Sequence, residues 1–283
     1  MPIQIQGGII MVVQHNLTAM NTNRQLGITV GDQAKSTEKL SSGYRINRAG
    51  DDAAGLTISE KMRSQIRGLD KASTNAQDGI SAIQTAEGAL NEAHAILQRM
   101  NELATQAAND TNTSSDRTAI SKEMTSLQTE LNRIASTTQF NTMNLLNGSF
   151  AGKNLQVGAL EGQAISISIG TMNATALGIG GSADIKVDSF STAGDTMTKV
   201  QAAISKVSAQ RSALGAIQNR LEHTIKNLDT TSENTSAAES RIRDVDMAKE
   251  MVTYSKNNIL AQAGQSMLAQ ANQSNQGVLS LLQ

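Results

Sequence analysis

Cysteine and tryptophan are absent from this chain of 283 residues, proline occurs once, and aromatic side chains make up only 2% of it. Without cysteine there is no disulfide, no cysteine-ligated metal and no cysteine nucleophile. The single proline, Pro2, precedes everything described below, so long helices without a proline kink are permitted. With so few aromatic residues, any core has to be packed from Leu, Ile, Met and Ala.

Charged side chains are scarce at both ends of the chain. The formal net charge of −1 gives no electrostatic reason to expect nucleic acid or an anionic membrane surface as a partner. Residues 1–31 carry one charged side chain, Arg24, and residues 252–283 carry one, Lys256. Chain ends are usually solvated, so end segments built from Gln, Asn, Ser, Ala and aliphatic residues predict that another surface buries them.

A short apolar run, GGIIMVV at 7–13, is the N-terminal stretch closest to a targeting segment. Nothing basic precedes it and no convincing cleavage site closes it, so we predict no cleaved signal peptide. It is far shorter than the roughly 20 residues of a membrane span, which predicts no membrane insertion. Residues 1–10 have no helical pattern, and we expect Met11 to be the natural start, with residues 1–10 as an extension.

Helical periodicity covers most of the chain. Apolar residues three and four apart predict a first helix over 12–42, and further helices are expected over 57–108 and from about 195 onward. At about 1.5 Å per residue, the helix over 57–108 would be roughly 75 Å long. Two patterns of the capping-box type predict helix starts: Thr57 with Glu60, and Ser236 with Glu239.

Apolar residues seven apart indicate coiled-coil packing of these helices. The helix over 57–108 carries two such rows, and the second consists mostly of small residues, which let helix axes approach closely. The rows are Leu69, Ala76, Ile83, Leu90, Leu97 and Ala104, then Ala72, Gly79, Ala86, Ala93, Met100 and Ala107. The later helix has a row at Val200, Val207, Leu214, Leu221 and Leu228, and a shorter helix has Ile120, Met124, Leu127, Leu131 and Ile134 on one face.

The composition changes between residues 141 and 192, where glycines become frequent. The alternation of Ile165, Ile167 and Ile169 has the period of a half-buried strand, so we expect one or two small hairpins here. The predicted fold is therefore mainly α: a long antiparallel helical bundle or coiled-coil rod with a small β-hairpin insert. Because both termini are helical and poor in charge, the two terminal helices are expected to pair with each other.

The residues that usually carry catalysis or metal binding are dispersed. His15, His94 and His223 stand in separate segments, without an HExxH pattern or a nearby cluster of carboxylates. Metal sites need two or more convergent ligands, so we predict no metal, no cofactor and no catalytic residues. His94 lies beside the heptad rows and is interpreted as a packing or polar-layer residue.

The segment 40–56 is the most unusual local stretch, because three glycines interrupt it and four charges crowd into eight positions. Asp51 and Asp52 lack the alternating acidic pattern of a calcium loop. Together with Arg45 and Arg48, they are interpreted as a salt-bridged connector between two helices, with glycine supplying unusual backbone angles.

Several long motifs resemble bacterial flagellin. LSSGYRINRAGDDAAGLTISEKM at 40–62 is similar to the N-terminal signature of that family, and MVVQHNLTAMNTNRQL at 11–26 is similar to its start. TQFNTMNLLNG at 138–148 resembles the end of its N-terminal half, and ESRIRDVDMAKEM with NILAQAGQSMLAQANQ resembles its C-terminal half. The resemblance covers almost all of residues 11–283.

The resemblance implies a structural subunit that self-assembles into the flagellar filament for motility, with no enzymatic activity. It divides the chain into an inner pair of terminal segments, 11–45 and 239–283, two halves of a helical rod domain, 46–140 and 193–238, and a short insert, 141–192. It implies an extracellular location reached through the flagellar export apparatus. The implied partners are further copies of the chain, an export chaperone, the filament cap and hook-junction proteins.

The resemblance also assigns roles to particular residues. The connector residues Arg45, Arg48, Asp51 and Asp52 would join the inner and outer layers and bridge neighbouring subunits. Apolar residues of the two ends would drive polymerisation; those singled out are Leu17, Met20, Met267, Val278, Leu281 and Leu282.

A further implied partner is the innate immune Toll-like receptor for flagellin, because LQRMNELATQAAND at 97–110 resembles the segment that this receptor binds. In the heptad register Arg99 points outward, and Leu103, one turn later, is expected to be partly exposed at a flanking position. Glu123 matches the acidic member of the same surface. Asn101 departs from the pattern, because many receptor-binding members carry Arg there.

Three alternatives stay open at this point. A hook–filament junction protein shares helical ends and a related signature. A secreted enzyme on a flagellin scaffold would need a catalytic motif and a larger insert than 141–192. A cytoplasmic coiled-coil adaptor would ordinarily have charged, soluble ends.

Overall fold

The structure is a computed structural model that describes residues 16–181 and 184–281, with side chains in the last helix as far as Ser274. The chain is 74% helical, and the strands form two small antiparallel pairs. This confirms the predicted mainly α fold. The elements in chain order are α1 Leu17–Ser42, α2 Ala53–Ala107, α3 Ser114–Thr137, β1 Gln139–Phe140, β2 Met143–Asn144, β3 Lys153–Gln156, β4 Ala164–Ile167, α4 Ala174–Leu177, α5 Phe190–Arg243 and α6 Met247–Leu281.

The described chain divides into two compact units. The terminal unit consists of the chain up to Arg63 and from Ser236 onward, and the central unit is Ser64–Thr235. The helices α2 and α5 contribute residues to both units. At about 1.5 Å per residue, the 55 residues of α2 span about 80 Å.

The core of the central unit is built from the predicted heptad rows. The rows of α2 and α5 are buried, and most of their apolar residues form one cluster with Ile120, Met124 and Leu131 of α3 and side chains of the β insert. Leu69, Ala72 and Leu228 form a second, smaller cluster. Small buried residues of α2, such as Ala76 and Ala86, allow the neighbouring helices to pack closely. Hydrogen bonds from Ser73 to Asp229 (3.0 Å) and from Ser232 to Asp70 (2.8 Å) link α2 to α5 at the edge of this core.

Two hairpins are present where one or two were expected, although β1 (Gln139–Phe140) precedes the insert 141–192. Strands β1 and β2 are joined by a two-residue turn in which Asn141 and Thr142 both have positive φ. Strands β3 and β4 pair with Leu155 opposite Ile165. Ile165, Ile167 and Ile169 are buried while Ser166 and Ser168 are exposed, so the alternation correctly predicted a half-buried strand.

Both predicted capping boxes are wrong. Helix α2 begins at Ala53, four residues before Thr57, because Asp52 Oδ1 accepts a hydrogen bond from the Gly55 N–H (2.8 Å). Helix α5 begins at Phe190, earlier than expected, and continues through Ser236 to Arg243. A capping pattern starts a helix only where the residues before it are not helical. The residues before Thr57 and Ser236 are already helical.

The structure contains one capping box that the sequence reasoning missed. At the start of α3 the Thr113 hydroxyl accepts from the Asp116 N–H, and Asp116 Oδ2 accepts from the Thr113 N–H (2.9 Å). The Thr113 hydroxyl also donates to Asp116 Oδ2 (2.7 Å), and this hydrogen bond, followed by the one from the Thr113 N–H, lowers the pKa of Asp116. The signal was the T-x-x-D spacing of Thr113 and Asp116 at the end of the polar run NDTNTSSD, residues 109–116. The predicted first helix agrees from Leu17 to Ser42, and residues 12–15 lie outside the described part of the chain.

Candidate functional site

The two terminal helices form an antiparallel pair in the terminal unit. Asn16 Nδ2 donates a hydrogen bond to the Ala271 carbonyl (2.9 Å), and the backbones of Tyr44 and Asp244 form an isolated antiparallel bridge at the other end of α1. The expected pairing of the chain ends is therefore present in the structure. At the N-terminus of α1, Asn16 also caps the helix by accepting from the Ala19 N–H.

The contact between α1 and α6 is made mainly by small side chains. The buried residues of the two helices, among those whose side chains are described, are Ala19, Ser36, Ala261 and Ala271. A Cβ atom added to Gly264 would come within 3.2 Å of Leu26 Cδ1, so the helices approach closely there. Small residues supply little apolar burial, and the pair is consequently held by less hydrophobic free energy than the central unit.

Most of the large apolar side chains of α1 and α6 are exposed, while Leu26, Leu40 and Leu268 are half-buried. Of the fourteen exposed large apolar residues in the described chain, ten belong to these two helices, although the helices hold only a minority of its residues. They are Leu17, Met20, Ile28, Val30, Met247, Met251, Val252, Ile259, Leu260 and Met267, and together they are called the terminal apolar surface below. Exposed apolar residues concentrated on two helices in this way are typical of protein contact surfaces.

Three of the six residues that the sequence analysis assigned to polymerisation have described side chains, and all three lie on this surface. Leu17, Met20 and Met267 belong to the terminal apolar surface. The backbone of α6 continues through Val278 to Leu281, but their side chains, and Leu282 altogether, lie outside the described part of the structure. The same applies to His15 and to the proposed extension 1–10.

The connector between α1 and α2 is held against the end of α5 by backbone contacts. Gly43 ends α1 with a φ of 74°, a left-handed conformation that favours glycine. The Arg45 N–H donates to the Arg243 carbonyl (2.7 Å), and the Arg45 guanidinium donates to the Ile242 carbonyl. The Arg243 guanidinium lies 4.6 Å from the centre of the Tyr44 ring, within cation–π range.

The four charged connector residues do not pair with one another as expected. Asp51 Oδ2 accepts hydrogen bonds from the backbone N–H groups of Arg48 (2.9 Å) and Asn47 (3.1 Å), and these lower the pKa of Asp51. Asp52 caps α2 as described above. Arg48 donates from Nε to Glu38 Oε1 (2.9 Å) on α1. The carboxylates therefore shape the backbone of the connector, and sequence reasoning missed Glu38 as the partner of Arg48.

The residues named for receptor binding lie on α2 and α3 of the central unit. Arg99 forms ion pairs with Glu123 (2.9 Å) and with Glu102 (3.2 Å). These hydrogen bonds, the one to Glu123 foremost, raise the pKa of Arg99. All three side chains are exposed, and the structure brings together Arg99 and Glu123, which the sequence placed on one surface.

The expected partial exposure of Leu103 is wrong. Its side chain is only 1% exposed and belongs to the main apolar cluster. The reason is α3, which packs along this part of α2, as the contacts of Arg99 with Glu123 and of Arg117 with the Ala107 carbonyl (3.1 Å) demonstrate. A position that flanks the stripe of a single helix becomes core when a third helix covers it.

A metal site would need clustered ligands, and a membrane span would need a long apolar helix, within residues 16–181 and 184–281. No group of three or more His, Asp or Glu side chains there has metal-binding geometry, and no helix there is both long and apolar enough to span a bilayer. His94 Nε2 lies 3.1 Å from Gln98 Nε2 on the same helix, whereas His94 Nδ1 is buried without a hydrogen-bond partner in the described chain. The role of His94 as a packing residue stays a prediction.

The chain matches the family of the bacterial flagellin N-terminal helical region over residues 13–151 and that of the C-terminal helical region over residues 197–282. It is 56% identical over 272 residues to flagellin of Halalkalibacterium halodurans, covering 96% of this chain and 100% of that protein. The chain belongs to the bacterial flagellin family. It is also 52% identical over 286 residues to the flagellar filament 31.3 kDa core protein of Treponema maltophilum, covering 96% and 100% of the two chains.

Among solved structures, the crystal structure of Bacillus cereus flagellin is similar to this flagellin with a TM-score of 0.50 at 30% identity, over 59% of this chain and 94% of that one. Flagellins are structural subunits of the flagellar filament and not enzymes, so this chain is a filament component that assembles with copies of itself. The motifs quoted above correctly predicted the family. The enzyme and the cytoplasmic adaptor are set aside by this membership.

Proposed function

We propose that the terminal apolar surface is the contact through which this subunit packs against its neighbours in the filament. The observation that carries the proposal is the distribution of side chains on α1 and α6: the fully buried residues are small, whereas ten large apolar residues are exposed. Leu17, Met20 and Met267 act in this contact. We extend the contact to three further large apolar residues near the end of the sequence, Val278, Leu281 and Leu282.

The low charge of the two end segments supports the same proposal. In a helical polymer every subunit repeats the same contact, so a charge on the contact would be brought near its own copies along the assembly. Between residues 12 and 31, and again between 252 and 283, only Arg24 and Lys256 carry a charge. The mostly uncharged side chains of these two segments therefore suit a buried contact that is repeated between identical subunits.

Deletion of residues 264–283 tests this proposal. The central unit has its own core and does not use these residues, so the truncated chain is expected to fold and remain soluble but not to polymerise. Circular dichroism and thermal unfolding report the fold, and electron microscopy reports filaments. Filaments of normal appearance from the truncated chain would refute the assignment.

We propose that the connector residues bridge neighbouring subunits, with Arg48 as the main contributor. Arg48 is exposed and its ion pair with Glu38 is on the surface, where such a pair contributes little stability within one chain. The guanidinium can therefore exchange partners at low cost. Arg45, Asp51 and Asp52 hold the connector in shape through their backbone contacts, so their substitution should change assembly by moving Arg48. Comparing Arg48→Gln with Glu38→Gln in a polymerisation assay separates a subunit contact from the pair within the chain.

We propose that the chain is exported through the flagellar export apparatus without a cleaved signal, bound to an export chaperone until assembly. An apolar surface that is exposed in the monomer invites aggregation unless it is covered, which supports a chaperone on the terminal apolar surface. The filament cap and hook-junction proteins are the partners proposed at the two ends of the polymer. Mixing the chain with its chaperone and measuring complex formation by gel filtration tests this, since Leu17→Gln with Val252→Gln should weaken the complex. The alternative role as a hook–filament junction protein stays a prediction.

We propose that Arg99 and Glu123 contribute to binding of the Toll-like receptor for flagellin. Their paired side chains are exposed on neighbouring helices, which provides a preorganised polar contact. Leu103 is buried beneath them, so its part is to hold α2 and α3 together and not to touch the receptor. An Arg hot spot in an interface is typically worth about a thirtyfold change in affinity.

Receptor-ectodomain binding by the Arg99→Ala and Glu123→Ala monomers tests this proposal. We expect each to weaken binding about thirtyfold without loss of helicity. Leu103→Ala removes a buried side chain and therefore destabilises the core whether or not it affects the receptor contact. Leu214→Ala, at an equally buried position on α5, is the control for this general loss of stability. Wild-type affinity of both charge variants would contradict the proposal. Asn101→Arg is expected to strengthen binding, because it adds the Arg that many related receptor-binding segments carry.

A further inference from the structure

Methionine is concentrated on the terminal apolar surface. Four of its ten residues are methionines, Met20, Met247, Met251 and Met267, and their side chains are between 48% and 63% exposed. Met247 and Met251 lie one turn apart on α6. Met20 and Met267 lie at a similar level along the antiparallel pair, because Asn16 donates to the Ala271 carbonyl and Leu26 Cδ1 lies beside Gly264. In contrast, Met100 and Met124 are completely buried in the central unit.

We propose that these four thioethers are oxidation sites through which peroxide-type oxidants block assembly of the free subunit. This inference rests on the proposed role of the terminal apolar surface as a subunit contact. Hydrogen peroxide is the co-reactant. A lone pair of the methionine sulfur attacks one peroxide oxygen, the O–O bond breaks, and the hydroxide that leaves takes up the remaining proton as water. Sulfur is oxidised from thioether to sulfoxide and peroxide is reduced to water.

The position of the four residues makes the reaction selective for the unassembled chain. A thioether reacts only where the oxidant reaches the sulfur, so Met100 and Met124 are protected within the folded monomer. The four surface methionines are open in the monomer and become covered when copies pack on them. The finished filament is therefore resistant, and the oxidant acts on the supply of new subunits.

The consequence for assembly follows from the polarity of the product. The sulfoxide is a strong hydrogen-bond acceptor, whereas the thioether is weakly polar and packs like an aliphatic chain. Burying an unpaired polar group in an apolar contact disfavours that contact by about tenfold or more. Four such groups on one subunit raise the concentration needed for polymerisation well above the wild-type value, and reduction of the sulfoxides reverses the effect.

The experiment compares polymerisation before and after peroxide treatment of purified monomer. The critical concentration is measured by sedimentation, and peptide mass spectrometry identifies the oxidised residues. We expect the treated wild type to have a critical concentration at least about tenfold higher. For the variant with Met20→Leu, Met247→Leu, Met251→Leu and Met267→Leu, the untreated variant is the reference, and peroxide treatment should leave its critical concentration unchanged. Met143→Leu removes an exposed methionine of β2 in the central unit and should stay as sensitive as the wild type.

Two results separate failure of this inference from failure of the proposed subunit contact. Treated wild type that carries sulfoxide at all four positions and polymerises normally would overturn the oxidation proposal, whatever the variants do. If glutamine at the same four positions also leaves polymerisation unchanged, the terminal apolar surface is not the contact and both proposals fail. Should the fourfold leucine variant assemble poorly, the pairs Met20→Leu with Met267→Leu and Met247→Leu with Met251→Leu must each recover part of the resistance.

Discussion

Replacing Leu17 and Val252 with glutamine measures how much the terminal apolar surface contributes to assembly. These side chains are 65% and 69% exposed in the monomer, so about two thirds of each remains to be buried in a filament. Full burial of a Leu or Val side chain contributes roughly 1.5–3 kcal/mol, which gives about 1–2 kcal/mol for each residue. The double variant should therefore lose about 2–4 kcal/mol of assembly free energy, and its critical concentration should rise between about thirtyfold and a thousandfold.

The same substitutions should leave the monomer almost unchanged. Exposed positions that touch little usually alter folding stability by less than about 0.5 kcal/mol, and glutamine is a good helix former. A matched control is Leu160→Gln, because Leu160 is 68% exposed but lies outside α1 and α6, in the turn between β3 and β4. Sedimentation gives the critical concentration, and thermal unfolding checks the monomer. If the double variant polymerises at the wild-type concentration, the reasoning from exposed apolar area is refuted.

Three further predictions concern the terminal unit. Limited proteolysis should cut α1 and α6 in the monomer but not in the filament, because the pair buries few large side chains and opens easily; equal protection in both forms would contradict this. Gly43→Ala should destabilise the monomer by about 1 kcal/mol because Gly43 has a φ of 74°, whereas Gly31→Ala, inside α1 with open space around it, should stabilise it by about 0.4–1 kcal/mol in the same thermal-unfolding assay. The pKa of Asp51 is lower in the folded state than in the unfolded chain, where it is about 3.9, so the ionised carboxylate stabilises the connector. This stabilisation is fully present above the unfolded pKa and is lost as the pH falls through the lower folded pKa. The difference in Tm between wild type and Asp51→Asn should therefore be present at pH 6 and shrink as the pH falls below about 4, and a pH-independent difference would contradict the assignment.

Periodic features of the fold were predictable from the sequence because they depend on spacing along one element. The heptad rows of α2 and α5 and the alternation of Ile165 with Ile167 repeat at the period of their helix or strand, and burial follows that period wherever one face is covered. Scarce charge at both termini predicted that these segments meet another surface. Long motifs predicted the family, which local physics alone would not have named.

Tertiary structure decided the features that depend on a second element. Thr57 and Ser236 occur in patterns typical of helix starts, yet both lie inside helices. Asp52 caps α2 before Thr57, and α5 is already helical before Ser236 and continues to Arg243. Leu103 flanks the stripe of α2 and is core only because α3 covers it. The pairing of α1 with α6 likewise decided which of their faces are buried: the fully buried residues are small, and ten large apolar residues remain exposed. A sequence determines the period of each element, whereas the neighbours that an element contacts determine which of its apolar residues are buried.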